Sequence, residues 1–139
     1  MKRESKIYGA ERPDWVKNDC CVRALAVAAG VEYKTASAVF STAGRPLKKG
    51  TPWDVVRQVH ESWLKLERLP LDNMPLAVFT VMFPQGSFVV FKHGHAFAVV
   101  DGVVHDWEGA SKATTRLHHA YEMNGEGKRR LAKIAELVG

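Results

Sequence analysis

The sequence predicts an α+β fold in which an N-terminal helical layer packs on an antiparallel β-meander. Three observations lead there. In the first half, apolar residues recur at helical spacing between Asn/Asp and Gly punctuation. From Leu76 onward they come in short β-branched blocks separated by Pro, Gly and Asp-Gly turns. The chain has 139 residues, 46% of them apolar and 25% charged, which suffices for one core and disfavours disorder or a coiled coil. A single domain over 1–139 is expected, with its core at about 14–108 and a basic helical extension at 112–139.

The elements follow in order. Asn18-Asp19 is an N-cap signal for the small, apolar run that begins at Cys20-Cys21 and stops at Gly30. A second helix is expected from Tyr33 to Ala43, closed by Gly44. A third opens at Gly50-Thr51-Pro52-Trp53-Asp54, where Thr51 suits a cap, Pro52 the first turn and Asp54 the positive helix end. Its apolar stripe is Val55, Val56, Val59 and Trp63. Next come four predicted strands, LAVFTVMF from Leu76, SFVVF from Ser87, HAFAVV from His95 and VVHDW from Val103. Asp101-Gly102, between the last two, is a two-residue hairpin signal. A helix near Thr114–Tyr121 and a basic amphipathic one near Lys128–Val138 complete the pattern.

The net charge of +5 sits at the ends: residues 1–17 carry +2, residues 112–139 carry +3, and the middle is neutral. Such basic ends suit an acidic protein or nucleic-acid partner, or serve as a solubilising surface. No apolar run reaches the ~18–20 residues of a membrane span, and the N-terminus lacks the apolar stretch of a secretory signal. No membrane association is expected, and a cytoplasmic location is. The only cysteines, Cys20 and Cys21, are adjacent, a spacing unsuited to a disulfide, which fits a reducing compartment.

A thiol in the first turn of a helix sits where unpaired N–H groups and the helix dipole stabilise a thiolate, and Cys20 has that position. Cys21, with Leu25 four residues on, reads instead as a core residue. A thiol nucleophile needs a base, and the base needs a third group to orient it. Of the six histidines, His60 reads as a surface or boundary residue in mid-helix, and His118 and His119 point apart. His93 and His95, without a nearby Cys or carboxylate ligand, are a weak metal pattern, so neither a metal nor a cofactor is expected. His95 opens a strand whose hairpin partner ends in Asp106. Counting outward from the Asp101-Gly102 turn pairs position 97 with 106 and 95 with 108, so His95 and Asp106 are diagonal neighbours. Trp107 is placed to shield their bond from water.

Three stretches, Asn-Asp-Cys-Cys-Val-Arg-Ala-Leu (18–25), Gly-His-Ala-Phe-Ala-Val-Val-Asp-Gly (94–102) and His-Asp-Trp (105–107), together resemble a minimal papain-like cysteine peptidase domain. The likeness is to the compact bacterial and phage members, including the double-glycine leader peptidases and small cell-wall amidases. It covers roughly residues 14–108. The resemblance implies Cys20 as nucleophile, His95 as general base and acid, and Asp106 as the group that orients His95. Those families usually carry a Gln about six residues before the Cys as an oxyanion donor. Asp14 stands at that position here, which leaves the Asn18 amide or the Cys20 backbone N–H as substitute donor, with Gln85 a remote third. The short chain also leaves no room for the second lobe that frames such a cleft, so an open groove, a partner subunit or the C-terminal segment would replace it.

Three functions are compatible with these residues. One is a cysteine peptidase or amidase acting on a peptide or protein substrate, in the host cytoplasm if phage-encoded. A second is a catalytically degenerate domain of the same type used as a binding or inhibitory protein. The third is an acyltransferase with the same triad.

Overall fold

The structure, a computed structural model, describes residues 2–4, 19–46, 50–106 and 111–138. Six strands, β1 (Lys2–Glu4), β2 (Arg68–Pro75), β3 (Ser87–Lys92), β4 (His95–Val100), β5 (Val103–His105) and β6 (Arg116–Glu122), form one sheet in the order β1-β5-β4-β3-β6-β2. All neighbours are antiparallel except β1 and β5, which are parallel. Five helices complete the α+β fold: α1 (Cys20–Ala29), α2 (Tyr33–Thr42), α3 (Trp53–Arg57), α4 (Leu76–Met82) and α5 (Gly125–Val138).

The β3-β4-β5 meander follows the sequence pattern closely. Asp101 and Gly102 both take positive φ, 49° and 76°, the two-residue turn whose twist matches the flanking strands. This turn sets the pairing of Val100 with Val103, Val99 with Val104 and Ala98 with His105. The sheet is buried on both faces. On one, Val89, Phe91, Ala96, Ala98 and Tyr121 pack with α1, α2 and the α3 segment. On the other, Phe88, Val90, Phe97, Val99 and Ala120 pack with Leu76 and Phe79 of α4.

Helix α1 lies directly on the sheet with Val22, Ala24 and Leu25 fully buried, which explains its small, apolar composition all round. It ends at Gly30, whose φ of 70° allows the chain to close the helix, with Val31 N–H donating to Ala26 O. At its start Asp19 holds the N-cap position without a side-chain capping bond. Thr51 does not cap α3 either: Pro52 is the N-cap, in an extended conformation. From Gln58 to Trp63 that helix continues with wider, π-type winding, in which Leu64 N–H donates to Val59 O.

Several expectations are corrected. LAVFTVMF is not a strand but helix α4. Leu76 and Phe79 are three residues apart and buried together, and Val78, Val81 and Met82 face outward. Two first-turn N–H groups of α4 are satisfied from far along the chain, Leu76 by Thr115 O and Ala77 by Ala113 O. The segment expected as a helix near Thr114–Tyr121 is strand β6, inserted between β3 and β2. Residues beyond 112 are therefore integral to the sheet rather than an extension of it. The basic amphipathic helix is present as α5, starting slightly earlier, at Gly125.

Strand β2 carries Pro70, Pro75, Asp72 and Asn73, a loop-like composition. It is an edge strand with an irregularity between Pro70 and Met74, where Asp72 and Asn73 adopt positive φ. Edges and bulges are the places in a sheet where such residues are tolerated. His60 is not at the surface. It is fully buried, stacked on Tyr121 at 4.7 Å, with its Nδ1–H donating to Val56 O at 2.8 Å.

Candidate active site

The sheet positions His95 and the helical layer positions Cys20. His95 is the first residue of β4, paired with Lys92 across the β3–β4 turn. Cys20 is the first residue of α1, the helix that lies over β4. The packing of the small residues of α1 against Ala96 and Ala98 thus brings the helix start to the strand start. The two side chains are hydrogen-bonded to each other, and the Ala96 N–H also donates to the Cys20 sulfur.

On the far side of the imidazole, His95 Nε2 lies 2.9 Å from Asp106 Oδ1. This leaves Nδ1 to face the sulfur. The Asp106 side chain is almost wholly buried, at 1% exposure, and its second oxygen accepts from both the Ser111 N–H, at 3.0 Å, and the Ser111 hydroxyl. A carboxylate held at both oxygens cannot rotate away from the ring. The ring itself lies along Phe97, with centroids 6.0 Å apart.

These contacts favour charge separation. The Cys20 thiol is lowered to about 4: the neighbouring Cys21 S–H donates to its thiolate, burial opposes ionisation, and hydrogen bonds from His95 and Ala96 add to the lowering. Cys21 is held protonated, its pKa raised by that same hydrogen bond to Cys20 and by burial. At His95 burial disfavours the charged ring, but the bonds to Asp106 and Cys20 outweigh it and raise the imidazole to about 9. Between these limits the pair exists as thiolate and imidazolium.

The site opens into a cleft of about 430 Å³. One wall is Cys20, Thr51, Trp53 and Val56 from the helical layer. The other is Phe91 from β3, His118 and His119 from β6, and the turn from Lys92 to Gly94. His119 stacks on Phe91 at 4.6 Å and meets the Trp53 ring edge-on at 5.0 Å. Burial and the nearby Arg68 charge lower His119 to about 4, so this imidazole is a neutral, flat surface. The C-terminal segment lines the cleft through His118 and His119 of β6.

Of the sequence-derived site residues, Cys20, His95 and Asp106 are brought together. Asn18, Asp14 and Trp107 lie outside the described residues. Gln85 does not approach: it precedes β3 at the end of the hairpin opposite His95, roughly 20 Å away along the strand. Cys20 begins α1, so its own N–H has no acceptor within the helix. Two contributors were not apparent from sequence. Ser111 fixes Asp106 from a segment with no periodic signal, and Cys21 acts through its S–H as well as its packing. Among the described residues no group of three or more His, Cys, Asp or Glu could hold a metal ion, and no helix is long and apolar enough to cross a membrane. Comparisons with protein-family models, with curated proteins and with solved structures find no match to this chain.

Proposed function

We propose that this protein is a papain-like cysteine hydrolase that cleaves a peptide or amide bond. The observation that carries the reading is the continuous chain Cys20–His95–Asp106–Ser111, in which the thiol meets one ring nitrogen and a doubly anchored carboxylate meets the other. A histidine stacked in a core serves packing alone and requires neither partner. The Cys20 thiolate attacks the carbonyl carbon, and the carbonyl π electrons move to oxygen. The Cys20 N–H is the donor at hand for that oxyanion. The His95 imidazolium gives its proton to the leaving amine as the C–N bond breaks, which leaves a thioester and a neutral ring. His95 then takes a proton from water, hydroxide adds to the thioester, and collapse releases the acid and the thiolate. Asp106 keeps the ring oriented and stabilises its charged form throughout.

The test combines two measurements. Iodoacetamide should modify Cys20 far faster than an ordinary thiol at pH 6, with the adduct mapped by mass spectrometry. A mixture of unstructured peptides should be cleaved by the wild type and not by Cys20→Ser. Slow, ordinary alkylation in the folded protein eliminates the nucleophile. Fast alkylation without cleavage, but with acyl transfer to an added amine, favours the acyltransferase reading. Fast alkylation with neither reaction favours the binding or inhibitory reading, for which the sequence motive is the Asp at position 14 in place of an oxyanion Gln.

A further inference from the structure

The cleft beside Cys20 is chemically one-sided. Its described lining includes Lys92, His93 and His118 and not one Asp or Glu. Lys92 and His93 form the β3–β4 turn that leads directly into His95, and the His93 and His118 rings lie 6.3 Å apart across the cleft mouth. No ion pair or side-chain hydrogen bond engages any of the three among the described residues. Other basic side chains nearby differ: Arg68, over the Trp53 ring, is 3.1 Å from Glu61 and so largely neutralised. Lys92, the last residue of β3, is half-buried and lines the cleft.

We propose that this rim is an anion subsite, and that the hydrolase selects acyl substrates bearing a carboxylate within a few residues of the reacting carbonyl. The proposal rests on the cysteine-hydrolase reading and names its substrate class. Lys92 supplies the charge, and the His93 and His118 rings of the same rim supply N–H donors. The apolar floor of Trp53, Phe91 and His119 takes the methylene part of an acidic side chain, whose head then reaches the rim. A basic substrate would meet the same three groups with no carboxylate among the described lining to receive it, so the site discriminates by repulsion as well as attraction.

The test reads alkylation of Cys20 rather than turnover. Peptidyl chloromethyl ketones are compared that are identical except for Glu, Gln or Lys at each of the three positions nearest the reactive carbon. At one or more positions Glu should react roughly fivefold faster than Gln, and Lys slower than Gln, as expected for one charge acting at short range in a partly solvated cleft. Lys92→Gln should remove the preference for Glu and Lys92→Arg should retain it. Rates towards iodoacetamide, which carries no charge, are measured for each variant and divided out, so that the Glu-to-Gln ratio alone reads the subsite. If Glu and Gln react alike at all three positions while iodoacetamide still reacts rapidly, the anion subsite is refuted and the nucleophile stands. If iodoacetamide itself reacts as with a free thiol, the failure lies with the hydrolase reading.

Discussion

His95 Nε2 and Asp106 Oδ1 are 2.9 Å apart although eleven positions separate the two residues in the chain. The two-residue turn at Asp101-Gly102 folds β4 back along β5, so that the residue opening one strand and the residue following the other meet at the same end of the hairpin. Burial of Asp106 removes water that would compete for its oxygens, and Ser111 replaces that water with fixed donors. The carboxylate therefore acts on the imidazole at close to full strength, and the imidazole acts on Cys20.

The first expectation concerns pH. With Cys20 at about 4 and His95 at about 9, the rate of Cys20 alkylation should rise around pH 4 and stay high through neutrality. Hydrolysis, which also needs the His95 proton, should fall again near pH 9. Asp106→Asn removes the charge that supports the imidazolium, so the His95 value drops, the Cys20 value rises, and both limbs move inward. Alkylation at pH 5 should slow by about tenfold relative to wild type. Profiles of the two proteins that coincide would show that Asp106 does not act through the ring.

A second expectation isolates the neighbouring thiol. Cys21→Ala removes the S–H that donates to the Cys20 thiolate, and the acid midpoint of alkylation should rise by about 1–2 pH units. Cys21→Ser keeps a donor of similar reach and should recover most of that change. Equal midpoints for the Ala and Ser variants would mean that Cys21 contributes by packing only.

Acid stability provides a third. His60 has a folded-state value of about 4, because burial disfavours its charge, against 6.5 when unexposed to the fold. The unfolded chain thus takes up this proton first as the pH falls. The stability contributed by the neutral ring is complete above pH 6.5 and is lost progressively between 6.5 and 4, at up to about 1.4 kcal/mol per pH unit. Cys20 and His119, also lowered to about 4, act in the same direction over that interval. In His60→Phe the fall in chemical-denaturation free energy from pH 6.5 to 4 should be shallower by the contribution of one proton. An unaltered slope would mean that the ring accepts its proton in the folded core.

The fourth addresses the C-terminal segment. Deleting residues 109–139 removes β6, whose Leu117, Ala120 and Tyr121 are fully buried, and with it the strand that joins β2 to the rest of the sheet. It also removes Ser111, the second anchor of Asp106. The truncated chain should lose cooperative unfolding and amide chemical-shift dispersion. Retention of both would mean that the sheet is self-sufficient at β5-β4-β3.

Much of this was legible along the chain. Helices α1 and α2, the β3-β4-β5 meander with its turns, and the residues Cys20, His95 and Asp106 all rest on local chemistry: Gly at a helix end, Asp-Gly in a tight turn, a polar residue just outside an apolar block. Hairpin register follows from the turn alone, which is why the His95–Asp106 contact could be counted out in advance. Where the stabilising partner is distant, local chemistry misled. Leu76–Met82 has the composition of a strand, but its first N–H groups find acceptors at Ala113 and Thr115, and its Leu76 and Phe79 find a sheet face to cover. Arg116–Glu122 is polar on average, yet each of its neighbours in the sheet supplies a ladder of hydrogen bonds. His60 looks like a surface residue until Phe40, Phe91 and Tyr121 converge on it from three other elements.

The sequence by itself determined the α+β class, the thiol at a helix start and the imidazole–carboxylate hairpin, because each depends on contacts between residues close in the chain. Only the tertiary structure decided that the helix start meets the strand start, that Ser111 locks the carboxylate, and that β6 closes the sheet and lines the cleft. Those outcomes depend on contacts between residues far apart in sequence. Which of them form is set by how whole faces bury one another, a property no short stretch of residues carries.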